Sequence, residues 1–299
     1  MTGVTDLVQR GVLRAGVPLG PLTTYKAGGP AKWFAQVSDV ATLEELVASG
    51  VTSEYPVLVL GRGSNLVVAD AGFDGLVVQL AGSFGEIRVG SGSVVGGGAA
   101  PLPRVARAAV DAGLLGLEFF VGIPGSVGGA VRQNAGCFGR ETKDVLVAAD
   151  LFDLREGSSR RATPKDLGMG YRHSNVSSSE VVVEAVFAAS PGDRKAGREE
   201  IRRITRWRKE HQPGGTLNAG SVFKNPPGEA AGEIIDRLGL KGLRVGDVRV
   251  SEKHANFFVA GPAARAADIY RLVEEVKDRV FAATGTMLET EIQFVGFEE

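Results

Sequence analysis

Residues 60–68 read Leu-Gly-Arg-Gly-Ser-Asn-Leu-Val-Val, and this run restricts what kind of nucleotide fold the chain can adopt. Two glycines after an apolar strand open a dinucleotide-binding βαβ unit, but that unit needs a third glycine and then a helix to receive the pyrophosphate. Position 66 is Leu and the chain continues as Val67-Val68, a second strand-type run. The pattern argues against a Rossmann unit. Two readings of the loop stay open: an anion-binding nest of backbone N–H groups helped by Ser64 and Asn65, or a hairpin-like turn.

A second glycine loop has the same character. In Ile123-Pro-Gly-Ser-Val-Gly-Gly-Ala-Val-Arg-Gln-Asn-Ala-Gly136, Pro124 stiffens the start and Gly125, Gly128 and Gly129 permit close backbone approach. Gln133 and Asn134 add amides. The 42 glycines of the chain are clustered, without a period of three, between good hydrophobic runs. Two such loops suggest an extended cofactor, a dinucleotide, clamped along its length.

The remaining composition excludes several classes. Net charge is −1 over 299 residues, so no global field points to nucleic acid or an anionic membrane. The basic stretch Arg202–Lys209 reads as a solvated helix face. Cys137 is the only cysteine and there are three histidines, which argues against a disulfide framework or a dedicated metal site. The amino terminus lacks an apolar signal core and no run of about 18 apolar residues occurs. A soluble cytoplasmic protein is expected.

Helical spacing occurs at 41–50, 104–113, 196–211 and 264–283, and strand patterns at 55–61, 67–68, 75–80, 94–95, 181–187 and 288–295. The segment 122–139 reads as loop. Ser190-Pro-Gly192 is the best candidate domain boundary. Helices punctuating many short strands indicate an α+β fold.

Residues 218–226, Asn-Ala-Gly-Ser-Val-Phe-Lys-Asn-Pro, set a small hydroxyl, Ser221, in a glycine-bearing turn. Together with Thr24–Ala31, Leu60–Asn65, Ile123–Gly136, Gly170–Ser174, Val250–Phe257 and Leu288–Ile292, this segment resembles the UDP-N-acetylenolpyruvoylglucosamine reductase family of flavoenzymes. The segments stand in the family's order from about residue 20 to 296. The resemblance implies two α/β FAD-binding subdomains of the vanillyl-alcohol-oxidase type, at 1–70 and 71–195. A smaller α+β substrate domain at 196–299 follows, its last strand, 288–296, returning to the flavin. It implies non-covalent FAD reduced by NADPH, a hydride passed to the enolpyruvyl group of UDP-N-acetylglucosamine enolpyruvate, and UDP-N-acetylmuramate as product for peptidoglycan. Partners are then small molecules, with no nucleic acid or membrane, and a monomer is expected.

By the same resemblance, Ser221 protonates the carbanionic carbon, Arg172 binds the substrate carboxylate and Glu291 is the partner acid. A well-placed hydroxyl suffices for a strongly basic carbanion, the arginine fork suits a carboxylate, and a protonated glutamic acid can hydrogen-bond an enolate-like oxygen. The cofactor-binding set is Tyr25, Gly61, Arg62, Gly63, Ser64, Asn65, Leu66, Pro124, Gly125, Ser126, Gly128, Gly129, Asn134 and Gly136. Arg208, Lys224, Asn225 and His254 are substrate-side candidates, with Asn256 beside them, although His254 reads equally as a packed structural histidine.

The chain departs from the family pattern at His211, where Lys is common, and at Gly246-Asp247-Val248. The short interval from Arg172 to Ser221 assigns it to the subclass without a tyrosine-bearing loop insertion. Two rivals remain at this level: an alcohol or sugar oxidase on the same FAD scaffold, and a non-catalytic flavin or nucleotide-sugar binder. Neither has an evident use for Arg172, Ser221 and Glu291 together.

Overall fold

A computed structural model of the chain describes residues 3–297. The chain divides into two compact units. The larger comprises the residues up to Gly16, Lys32–Arg62 and Asp74–Arg206; the smaller comprises Val17–Ala31, Gly63–Phe73 and the chain from Trp207 onward.

The larger unit carries two sheets and two apolar clusters, one of which joins Val37 and Leu76 of the first sheet with Phe152 and Val181 of the second. The first orders its strands Leu13–Pro18, Pro30–Val37, Phe73–Leu80 and Val57–Leu60, and the last two run parallel with Leu58 opposite Val77. Leu76, Val77 and Val78 are successive and all buried, so this strand is covered on both faces. Asp39 caps the helix Val40–Ala48 by accepting from Thr42 N–H at 2.9 Å, and the helix turns Leu43 and Leu46 inward. The first sheet thus extends past residue 70 to Leu80.

The second sheet is antiparallel throughout, in the order Ser158–Ala162, Leu146–Asp153, Glu180–Ala188, Ser93–Gly97, Ile87–Val89. The helix Leu102–Asp111 lays Leu102, Val105, Ala106, Ala109 and Val110 into its core at the i, i+3, i+4 spacing, and Gly113 at φ +81° ends it.

The segment 122–139 is not all loop: Val127–Gln133 is a helix, begun by Ser126 accepting from Gly129 N–H and ended by Asn134 at φ +43°. Burial of Val127, Ala130 and Val131 outweighs the helix-weakening effect of Gly128 and Gly129. Ser190-Pro-Gly192 is also not a boundary. Ser190–Pro191 pairs with Leu114–Leu115, and Gly192 donates to Gly113 O at 2.9 Å. The helix Arg194–His211 packs its Gly197 against Val110 and Leu115, so the division falls later, at Arg206/Trp207.

In the smaller unit the helix Ala266–Thr284 buries Ile269, Leu272, Val273, Val276 and Val280 completely, each side chain contributing about 1.5–3 kcal/mol relative to exposure. Its start is held by Asp70, whose carboxylate accepts from Ala266 and Ala267 N–H at 3.0 and 3.1 Å. The strands Arg244–Val245, Val248–Val250 and Phe258–Ala260 form an antiparallel sheet. Gly246-Asp247 is its two-residue hairpin loop, with Gly246 at φ +55° as a primed turn needs. The terminal strand is shorter than expected, Gln293–Val295 only, parallel to Leu66–Val68. Residues 288–292 are diverted into contacts with 222–224 instead.

Candidate active site

Those contacts assemble the catalytic candidates of the smaller unit. Glu291 N–H donates to Val222 O at 2.8 Å and Lys224 N–H to Glu289 O at 2.9 Å, so the Ser221 and Glu291 segments run side by side. Asn256, 3% exposed, holds the same turn: its side chain accepts from Phe223 N–H at 2.9 Å and donates to Phe223 O at 2.8 Å, while its own carbonyl accepts from Val222 N–H at 2.8 Å. Ser221, half-buried, pairs with Phe257 across this contact. On the other side Asn65 Nδ2 donates to Glu291 O at 2.9 Å, and Asn65 O accepts from Gln293 N–H at 2.9 Å. The first glycine loop, through Asn65, is therefore tied to the chain of the partner acid.

Tyr25 is placed differently from expectation. Its ring is 1% exposed in the apolar cluster with Ala219, Val222 and Phe223, and burial pushes the phenol's ionisation well above its ordinary range. The side chain backs the Ser221 segment. Its neighbours in sequence follow the glycine loop by backbone: Thr24 N–H donates to Gly63 O at 3.0 Å and Gly29 N–H to Ala69 O at 2.8 Å.

Among the substrate-side candidates, Lys224 Nζ lies 3.2 Å from Glu289. Asn225 Oδ1 accepts from Ala231 N–H, starting the helix Ala231–Arg237. Arg208 Nε donates to Gln212 Oε1 at 2.8 Å, and His211 stacks on Trp207 at 4.5 Å. His254 Nδ1 accepts from Asn256 N–H at 3.2 Å and the ring packs on Phe257. Burial, then the positive charge of Lys241, lowers its pKa, which suits a neutral ring that accepts at Nδ1.

Arg172 belongs to the larger unit. Gly170 and His173 exchange both backbone hydrogen bonds, at 3.0 and 3.2 Å, and Arg172 is the second residue of the enclosed turn at φ +52°. Its guanidinium donates to Gly136 O at 3.1 Å and lies 3.9 Å from Glu141, a residue no sequence signal singled out. The second glycine loop also lies in this unit, and the two loops meet: a Cβ on Gly61 would stand 2.8 Å from Ser126 Oγ.

Residues 31–163 match the FAD binding domain, and residues 212–295 match the C-terminal domain of UDP-N-acetylenolpyruvoylglucosamine reductase. The chain is 43% identical over 288 residues to the UDP-N-acetylenolpyruvoylglucosamine reductase of Novosphingobium aromaticivorans, covering 96% of each. It is 42% identical to that of Azorhizobium caulinodans, over 96% of this chain and 92% of the relative. The crystal structure of the Thermus caldophilus reductase matches with a TM-score of 0.83 at 37% identity, over 95% of this chain and 99% of that one. The chain belongs to the UDP-N-acetylenolpyruvoylglucosamine reductase family.

Like its family, the chain is an FAD-dependent oxidoreductase of peptidoglycan precursor synthesis that acts on small molecules. Its α+β fold combines the FAD-binding fold with the reductase's C-terminal domain. The residues fit the cofactor. Gly61, Arg62, Pro124 and Gly129 are exposed along the two loops, and the glycine at 61 leaves their backbones open where any side chain would meet Ser126. Ser126 and Asn134 are buried, and their side chains make hydrogen bonds within the protein, as helix cap and in the Arg172 surroundings. Gly128 is accounted for by packing, its Cβ position lying 3.1 Å from Gly98 O. Among the described residues no helix is long and apolar enough to cross a membrane.

Proposed function

We propose that the chain reduces the enolpyruvyl group of UDP-N-acetylglucosamine enolpyruvate to UDP-N-acetylmuramate with NADPH, and that Ser221 donates the proton. When bound, FAD would supply the hydride-transfer chemistry, with NADPH as its reductant. The protein's tasks are to hold the substrate carboxylate, to stabilise the enolate-like charge and to protonate the carbon.

Ser221 protonates through its hydroxyl, Glu291 in its protonated form hydrogen-bonds the enolate-like oxygen, and Arg172 takes the carboxylate in its planar fork. Arg62, Ser64 and the backbone of Gly61, Gly63, Leu66, Gly125 and Gly136 serve the cofactor. Lys224, Arg208 and Asn225 serve the nucleotide-sugar. The observation that carries this reading is the backbone pairing of residue 222 with residue 291, since it keeps a donor hydroxyl and an acid on adjoining chain segments. The chain acts without the tyrosine-bearing insertion, as a monomer.

Replacing Ser221 separates the two halves of the cycle. With Ser221→Ala, bleaching of the flavin by NADPH keeps its wild-type rate, while re-oxidation by the enolpyruvyl substrate slows by about 10²–10⁴-fold, the usual weight of a general acid. Equal slowing of both halves would remove Ser221 from the proton-transfer step.

A further inference from the structure

We infer that Asn134 is a positioning residue for Arg172 rather than a ligand of the flavin. The inference rests on the reading of Arg172 as the group that binds the substrate carboxylate.

Asn134 is 0% exposed and adopts the left-handed conformation, φ +43° and ψ +52°, at the end of the helix Val127–Gln133. Its amide is fully engaged. Nδ2 donates to Gly170 O at 2.7 Å and to Glu141 Oε2 at 3.1 Å, and Oδ1 accepts from Lys143 N–H at 2.9 Å. Both donor hydrogens are used, so nothing is left on that nitrogen for a cofactor.

The partners explain the arrangement. Gly170 closes the two-residue turn whose second member is Arg172 at φ +52°, a conformation that favours glycine or asparagine over arginine. Such a residue stays in place only where its surroundings over-determine it. Asn134 fixes the carbonyl of Gly170, where that turn starts. Two residues on, Gly136 O accepts from Arg172 Nη2 at 3.1 Å, and Glu141, which Asn134 also holds, stands 3.9 Å from Nη1. One buried amide thus aligns the backbone that projects the arginine and the carboxylate beside its guanidinium. A planar fork that must meet a carboxylate at two points depends on that alignment.

The test uses Asn134→Asp, which keeps the acceptor for Lys143 and removes the donors to Gly170 and Glu141. Bound FAD per chain and the rate of bleaching by NADPH should stay within about twofold of wild type. The dissociation constant of the enolpyruvyl substrate, read from re-oxidation of the reduced enzyme, should rise tenfold or more. Arg172→Lys should weaken the substrate similarly, and the double variant should be little worse than the poorer single one, as expected of residues acting as a unit. Glu141→Gln, at a partly exposed position, should raise the same constant less, and it carries the test should Asn134→Asp not fold.

Lost FAD or altered bleaching with normal substrate affinity would make Asn134 a flavin ligand and overturn the inference, as would additive effects. If Arg172→Lys weakens the substrate while Asn134→Asp and Glu141→Gln do not, the inference alone fails. If Arg172→Lys leaves substrate affinity unchanged, the reading of Arg172 fails and the inference goes with it.

Discussion

The role proposed for Glu291 calls for its protonated form, whereas His254 accepts a hydrogen bond in its neutral form. A glutamic acid that hydrogen-bonds an enolate must donate, and an amide can imitate that donation where a methyl group cannot. Product formation should therefore rank wild type over Glu291→Gln over Glu291→Ala in a steady-state assay; an alanine variant as active as the glutamine variant would deny the carboxyl a donor role. His254 is different, because it accepts from Asn256 N–H only while neutral. Its folded pKa lies below the unfolded value of about 6.5, mainly through burial. The unfolded chain then binds more protons in that window, so this contribution to stability is complete above about pH 6.5 and is lost as pH falls towards the folded pKa. Thermal melts should show the melting temperature falling from pH 7 to 5.5, with a flatter profile in His254→Gln. Parallel profiles would contradict this. Ser221, Arg172 and Glu291 were conspicuous as candidates in the sequence because each stands in a distinctive motif. The surroundings of Arg172 were not, since Asn134, Glu141 and Gly170 meet only through the tertiary fold.

At the scale of elements, the long helices were read well, because sustained apolar spacing in 104–113 and 264–283 dominates weak local preferences. The helix Val127–Gln133 was missed for the converse reason: seven residues with two glycines have little intrinsic tendency, and burial decides the outcome. The strand at 288–295 alternates convincingly, yet 288–292 leaves the ladder to pair with 222–224, which sequence periodicity cannot register. That pairing depends on Asn256. Asn256→Ala would leave buried Phe223 N–H and C=O without their partners, at roughly 1–3 kcal/mol for each group. Denaturant unfolding should register a loss of about 2 kcal/mol or more, whereas a loss within about 0.5 kcal/mol would mean that the turn holds itself. The two glycine loops offer a second check. Gly61→Ala brings a methyl against Ser126 Oγ and should lower retained FAD, and adding Ser126→Ala should restore part of it. Unchanged FAD content in Gly61→Ala would show that the loops do not need that closeness.

For the whole molecule, the family and its cofactor were legible because the matching segments span nearly the full chain in order, and the relatives cover 96% of it. The division into units was less so. Turn composition at 190–192 resembles a linker, but the helix Arg194–His211 continues on the larger unit before the chain crosses to the smaller one. In the function proposed, both halves of one redox cycle run on this chain, with an enolpyruvyl nucleotide-sugar as the oxidant. The most direct measurement is an anaerobic absorbance titration of the purified, FAD-loaded protein, first with NADPH and then with UDP-N-acetylglucosamine enolpyruvate. One equivalent of NADPH should bleach the flavin and one equivalent of the second compound should restore the spectrum, with UDP-N-acetylmuramate formed in equal amount. A flavin bleached by NADPH that this substrate leaves reduced would contradict it.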